Sequence, residues 1–176
     1  MNSTSTRGAA PREKPAIIVV MGVSGAGKTT IGRRLAAALG CGFSDADEFH
    51  GAANIAKMKS GVALTDADRE SWLRAIRGAI ERRRSEGTMH VFTCSALKAS
   101  YRRILAGDDS DVTFVHLRGD PDLIRSRLER RKHHFFDPAL LPSQFAALEE
   151  PEGALVFDVR ETPKRIVERI LAALQR

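Results

Sequence analysis

The chain has 176 residues, 43% of them hydrophobic, which is enough for one compact core and argues against a chain disordered throughout. A net charge of +6 suits a site that handles polyphosphate, whereas an aromatic content of 6%, with one Trp and one Tyr, is poor material for stacking nucleobases. Cys41 and Cys94 cannot build a disulfide framework, show no zinc-ligand spacing, and read as small core residues. No apolar run approaches the roughly 18 residues of a membrane span. Neither nucleic acid nor membrane is therefore expected as a partner.

Residues 1–14 lack the apolar stretch of a secretory leader and read as a disordered tail before one cytoplasmic domain, 15–176. Short apolar runs predict strands over 17–21, 42–45, 89–94, 112–117 and 155–159. Between them, helical periodicity predicts helices over 28–39, 67–84, 97–105, 121–131 and 163–174. The alternation implies an α/β fold with a parallel sheet covered on both faces. Two stretches break the pattern, a polar insert at 46–66 and a His-, Phe- and Pro-containing segment at 132–153. Both are expected above the carboxyl ends of the strands, where such sheets bind ligands.

The sharpest local signal is Gly22-Val23-Ser24-Gly25-Ala26-Gly27-Lys28-Thr29, a full match to G-x4-G-K-[ST] placed between a predicted strand and helix. Glycines let the backbone wrap a phosphate and aim N–H groups at it, and the helix N-terminus adds partial positive charge. Lys28 would bridge the β- and γ-phosphates of ATP, and the Thr29 hydroxyl would ligate Mg²⁺, with Thr30 beside it in the first turn.

A nucleotide site alone does not choose between kinase, switch and motor. The second strand ends in Asp45-Ala46-Asp47, and on an extended segment residues i and i+2 share a side. One carboxylate could hold Mg²⁺ through water and the other accept the proton of an acceptor hydroxyl. Solvated loop aspartates or a helix N-cap are the plainer alternatives. Downstream, His50, Asn54, Lys57 and Arg69 supply groups suited to a polyol and cations suited to a carboxylate. Asp66 could instead serve only as an N-cap for the helix carrying Trp72, Leu73 and Ile76.

Taken together, MGVSGAGKT, the NIAKM run, GVALTDADRESWL, CSALKASYR, RLERRKHHF and LLPSQFAALEEP resemble the bacterial-type gluconokinases, in order and spacing from about Val20 to Pro151. This resemblance implies ATP- and Mg²⁺-dependent phosphorylation of D-gluconate at its 6-hydroxyl, a homodimer, and five parallel strands in the order 2-3-1-4-5. Similarity to shikimate kinases implies roles as well: Asp45 near Mg²⁺, Asp47 at the acceptor hydroxyl and Arg69 on the substrate carboxylate. The family's usual Asp-Gly-Asp reads Asp45-Ala46-Asp47 here, its His-Pro reads His50-Gly51, and a frequent Pro-Leu reads Ala63-Leu64. These departures touch backbone shape in the acceptor pocket rather than chemical groups.

Related kinases carry a mobile lid after the fourth strand, expected here at about 125–150. Arg127 and Arg131 lie four apart, on one helical face, and one or both would clamp the transferring phosphoryl group. His134 and Phe135, with Gln144, would line the closed pocket; Lys98 and Arg102 are further acceptor or phosphate contacts. Adenine is expected near Arg160–Pro163. Two other readings compete, a kinase of another small acceptor and a non-enzymatic nucleotide switch or nucleic-acid binder. The chain lacks the Asn-Lys-x-Asp motif that GTPase switches use to read guanine.

Overall fold

The structure, a computed structural model, describes residues 17–107, 112–130 and 138–175. Five strands, β1 (Ile17–Met21), β2 (Gly42–Asp45), β3 (His90–Thr93), β4 (Val112–Arg118) and β5 (Leu155–Asp158), form one sheet in the order β2-β3-β1-β4-β5. All four pairings are parallel. The central strand β1 is buried at every position. Its Ile18 and Val20 enter one core, and Ile17, Val19 and Met21 the other. A strand covered on both faces has no solvent side on which to place polar residues, hence its unbroken apolar run.

The helices are α1 (Lys28–Leu39), α2 (Ala52–Lys59), α3 (Asp66–Ser85), α4 (Ala99–Ala106), α5 (Pro121–Glu129), α6 (Leu141–Ala147) and α7 (Pro163–Leu174). Leu35 of α1, Ile124 of α5, Leu141 of α6 and Ile170 of α7 fill the first core. Leu73, Ile76 and Ile80 of α3 and Leu105 of α4 fill the second. Each such fully buried side chain contributes about 1.5–3 kcal/mol. No described helix is long and apolar enough to cross a membrane.

Three local expectations change. Residues 46–66, expected only as a polar insert with no element of its own named, hold a 3-10 turn at Ala46–Phe49 and helix α2. Only Asn54 of α2 is buried, while Ile55 and Met58 face outward, so no inward apolar stripe marks the helix. The N-cap of α3 is Thr65, not Asp66. Its hydroxyl accepts from the Asp68 amide at 3.2 Å, and the Asp68 carboxylate accepts from the Thr65 amide at 2.9 Å, a capping box. Finally, α5 ends at Glu129. The expectations for Arg131, His134 and Phe135, and for the N-terminal tail, lie outside the described residues.

Candidate active site

The phosphate-binding candidate opens where β1 ends. Gly22 has φ +142°, and a Cβ there would sit 2.8 Å from the Leu117 carbonyl oxygen. The Ala26 amide closes a turn onto the Val23 carbonyl at 3.2 Å. Gly25 takes the third position of that turn at φ +84°, which L-residues rarely adopt. Helix α1 then starts from Gly27, whose lack of a side-chain cap leaves the helix's first N–H groups to an incoming anion. Lys28 Nζ donates to the Val23 carbonyl at 3.0 Å, holding its ammonium over the same turn.

The Thr29 hydroxyl donates to Asp45 Oδ2 at 2.9 Å. This brings together two hard oxygen donors at the mouth of the cradle, the ligand chemistry that suits Mg²⁺. Among the described residues no cluster of three His, Cys, Asp or Glu side chains is placed to hold a metal by itself. A cation here would complete its shell with phosphate oxygens and water. Asp45 does not continue as an extended strand into Asp47, as the i, i+2 argument assumed. It caps the 3-10 turn instead, its Oδ1 accepting from the Asp47 amide at 3.2 Å. Beneath lies Cys94, fully enclosed, whose thiol burial pushes up to about 12. Beside burial, Lys28 lowers that value and Asp47 and Asp45 raise it by lesser amounts.

On the acceptor side, the His50 ring stacks on Trp72 at 4.6 Å between centroids, and the Trp72 indole donates to the Ala46 carbonyl at 2.7 Å. Burial pushes the His50 imidazole below its ordinary value; Asp47 opposes that shift and Arg69 reinforces it. Arg69 lies 3.7 Å from Asp66 Oδ1, Lys98 Nζ donates to Asp66 Oδ2 at 2.6 Å, and the Tyr101 hydroxyl donates to Oδ1 at 2.5 Å. Two cations thus share one exposed carboxylate, and these bonds hold its pKa low.

The other candidates are occupied elsewhere. Lys57 pairs with Asp68 at 2.7 Å, and the Asn54 amide donates to the Asp68 carbonyl at 2.7 Å, so both tie α2 to the start of α3. Arg102 is buried and donates to the carbonyls of Ala96 and Leu97 at 3.0 and 2.9 Å. It braces the turn after β3 rather than facing an acceptor, and Ser95 of that turn accepts from the Gly22 amide at 3.3 Å. Arg127 donates to the Val159 carbonyl at 2.7 Å. That contact sets it in the wall of a cleft of about 310 Å³ shared with Gly27, Thr30, Glu161, Pro163 and Ile166. The cleft runs from the cradle to the turn after β5. Of its residues the sequence reading missed Ile31, Arg130, Val159 and Ile166; the apolar ones carry only a core-like spacing, and Arg130 is one arginine in a run of them.

A family model described as shikimate kinase matches residues 24–175. A gluconokinase of Arabidopsis thaliana is 42% identical over 88% of this chain and 90% of its own length. The chain belongs to the gluconokinase family. A gluconokinase from Sinorhizobium meliloti 1021 superposes with a TM-score of 0.78 at 40% identity, covering 93% of each chain. A sugar kinase from Janibacter sp. HTCC2649 reaches 0.86 at 42% identity over 92% of this chain and 95% of that one. Membership in the gluconokinase family makes the chain an ATP-using phosphotransferase. Ala46, which replaces the glycine of the familiar Asp-Gly-Asp, has its side chain buried in the second core while its carbonyl holds Trp72.

Proposed function

We propose that the chain transfers the γ-phosphoryl group of ATP to the 6-hydroxyl of D-gluconate, giving 6-phospho-D-gluconate and ADP. The observation that carries this reading is the Thr29–Asp45 contact at 2.9 Å, which joins the end of β2 to the phosphate cradle. Nucleotide phosphates enter the turn at 22–27, and Lys28 moves from the Val23 carbonyl onto them. The cleft at Arg127 and Pro163 receives the base. Thr29 and Asp45 hold Mg²⁺, which when bound offsets phosphate charge. Asp47 accepts the proton as the hydroxyl oxygen bonds to phosphorus and the bond to the β-phosphate oxygen breaks.

Arg69 and Lys98 carry the recognition of an acceptor carboxylate. Both already rest on the carboxylate of Asp66, so a gluconate carboxylate finds two preoriented cations. His50 stays neutral on Trp72 and offers the polyol a hydrogen-bonding edge. We infer in addition a cytoplasmic homodimer; size-exclusion chromatography with light scattering at working concentration checks the oligomer. The activity is tested by coupled ADP release with Mg-ATP against gluconate, related sugar acids, shikimate and nucleoside monophosphates. Turnover with gluconate is expected. Silence with gluconate beside turnover of another acceptor would overturn the substrate and turn attention to Ala46, Gly51 and Ala63.

A further inference from the structure

We propose that Gln144 is a positioning residue for phosphoryl transfer, acting through Ser24 of the phosphate loop; the inference rests on the ATP-dependent reading above. The turn at Val23–Ala26 is closed by the Ala26 amide, which leaves the Ser24 N–H without a partner inside the loop. Gln144 Oε1 accepts from it at 2.7 Å, and Gln144 Nε2 lies 3.1 Å from Ser24 Oγ. A backbone N–H can only donate, so the amide has one workable orientation, oxygen to the backbone and nitrogen to the hydroxyl. Ser24 Oγ is then an acceptor toward Gln144, and its own hydrogen is left to donate elsewhere.

The grip spans 120 residues of sequence and comes from an anchored helix. Leu141 of α6 is buried in the first core, and Phe145 and Ala147 pack against it. Gln144 therefore joins the apex of the phosphate loop to a fixed support. Its neutrality is part of the device. A carboxylate would accept from the same N–H, but would set a negative charge beside an incoming polyphosphate.

The test uses the full-length chain with Q144A and Q144E beside wild type. Three quantities are read: steady-state kinetics with Mg-ATP and gluconate, titration with a non-hydrolysable ATP analogue, and the ligand-free melting temperature. Q144A is expected to lower kcat by about 10–100-fold, with the gluconate KM within about twofold of wild type. Its melting temperature should stay within about 2 °C of wild type. Q144E should keep the melting temperature but weaken the ATP analogue about tenfold or more. The inference is overturned if Q144A matches wild type in kcat and in analogue affinity. It is equally overturned if Q144E matches wild type, since Gln144 would then do no more than satisfy a backbone donor. A wild type inactive on gluconate would sink the substrate reading alone, because the analogue titration still decides the role of Gln144.

Discussion

A carboxylate that takes a proton from an acceptor hydroxyl does its work only as the new bond forms, so removing its charge leaves the ground-state complex with nucleotide alone. Asp47→Asn is accordingly expected to reduce kcat by about 100-fold or more while an ATP analogue binds as before. Coupled ADP release and analogue titration measure the two halves, and full activity in that variant would remove Asp47 as the base. Cys94 sits against the same spot but has the opposite character. With its thiol pushed up to about 12 by burial, it holds almost no thiolate at pH 8. A thiol reagent should leave Cys94 unmodified in the native protein and label it after denaturation, as peptide mapping would show. At this scale the sequence offers one expectation where one residue type has one use, as with Lys28 and Thr29 in the glycine motif. It is ambiguous where a cation has two: Arg102 and Lys57 look like substrate ligands, and in the folded chain they hold carbonyls and a carboxylate of the protein itself.

Elements depend on contacts from distant parts of the chain. The N-terminus of α4 has no cap from its own neighbour Lys98; the Ala99 amide donates to Glu149 Oε2 at 2.6 Å, and the Glu149 amide returns a bond to the Leu97 carbonyl at 2.9 Å. Arg102 supplies the rest of the bracing there, next to Ala96, which takes φ +44°. Arg102→Ala strands the Ala96 carbonyl, while the Leu97 carbonyl keeps the Glu149 amide, and should cost about 1–3 kcal/mol, read as a lower urea midpoint. Thr65→Ala removes the cap of α3 at about 1 kcal/mol, measured the same way. Local signals account for what could be read ahead. The central strand and α1 follow from an apolar run and a glycine motif, whereas α2 turns its apolar residues to solvent and α4 borrows its cap from 50 positions away. No window of sequence contains either fact.

Over the molecule as a whole, three imidazoles respond to acid together. Burial lowers the affinity of His50, His90 and His116 for protons from the ordinary value of 6.5. In the unfolded chain they titrate near that value, so below it the unfolded state binds more protons than the folded one. Stability should therefore be level above about pH 6.5 and fall progressively as the pH drops below it, visible as a declining urea midpoint between pH 7 and 5. A second loss belongs to Asp68, whose carboxylate Lys57 and Thr65 hold at about 2 against an ordinary 3.8; its contribution persists above pH 3.8 and disappears toward pH 2. Trp72 gives this machinery a voice. It is the single tryptophan of the chain, lies face to face with His50 and reaches the Ala46 carbonyl between the two aspartates. Excited at wavelengths that tyrosine does not absorb, the protein therefore emits from one fluorophore beside the residues proposed to take the acceptor. Protonation of the neighbouring imidazole or the arrival of a polyol should dim or brighten it without any label, letting a stopped-flow trace time the second substrate's entry apart from turnover.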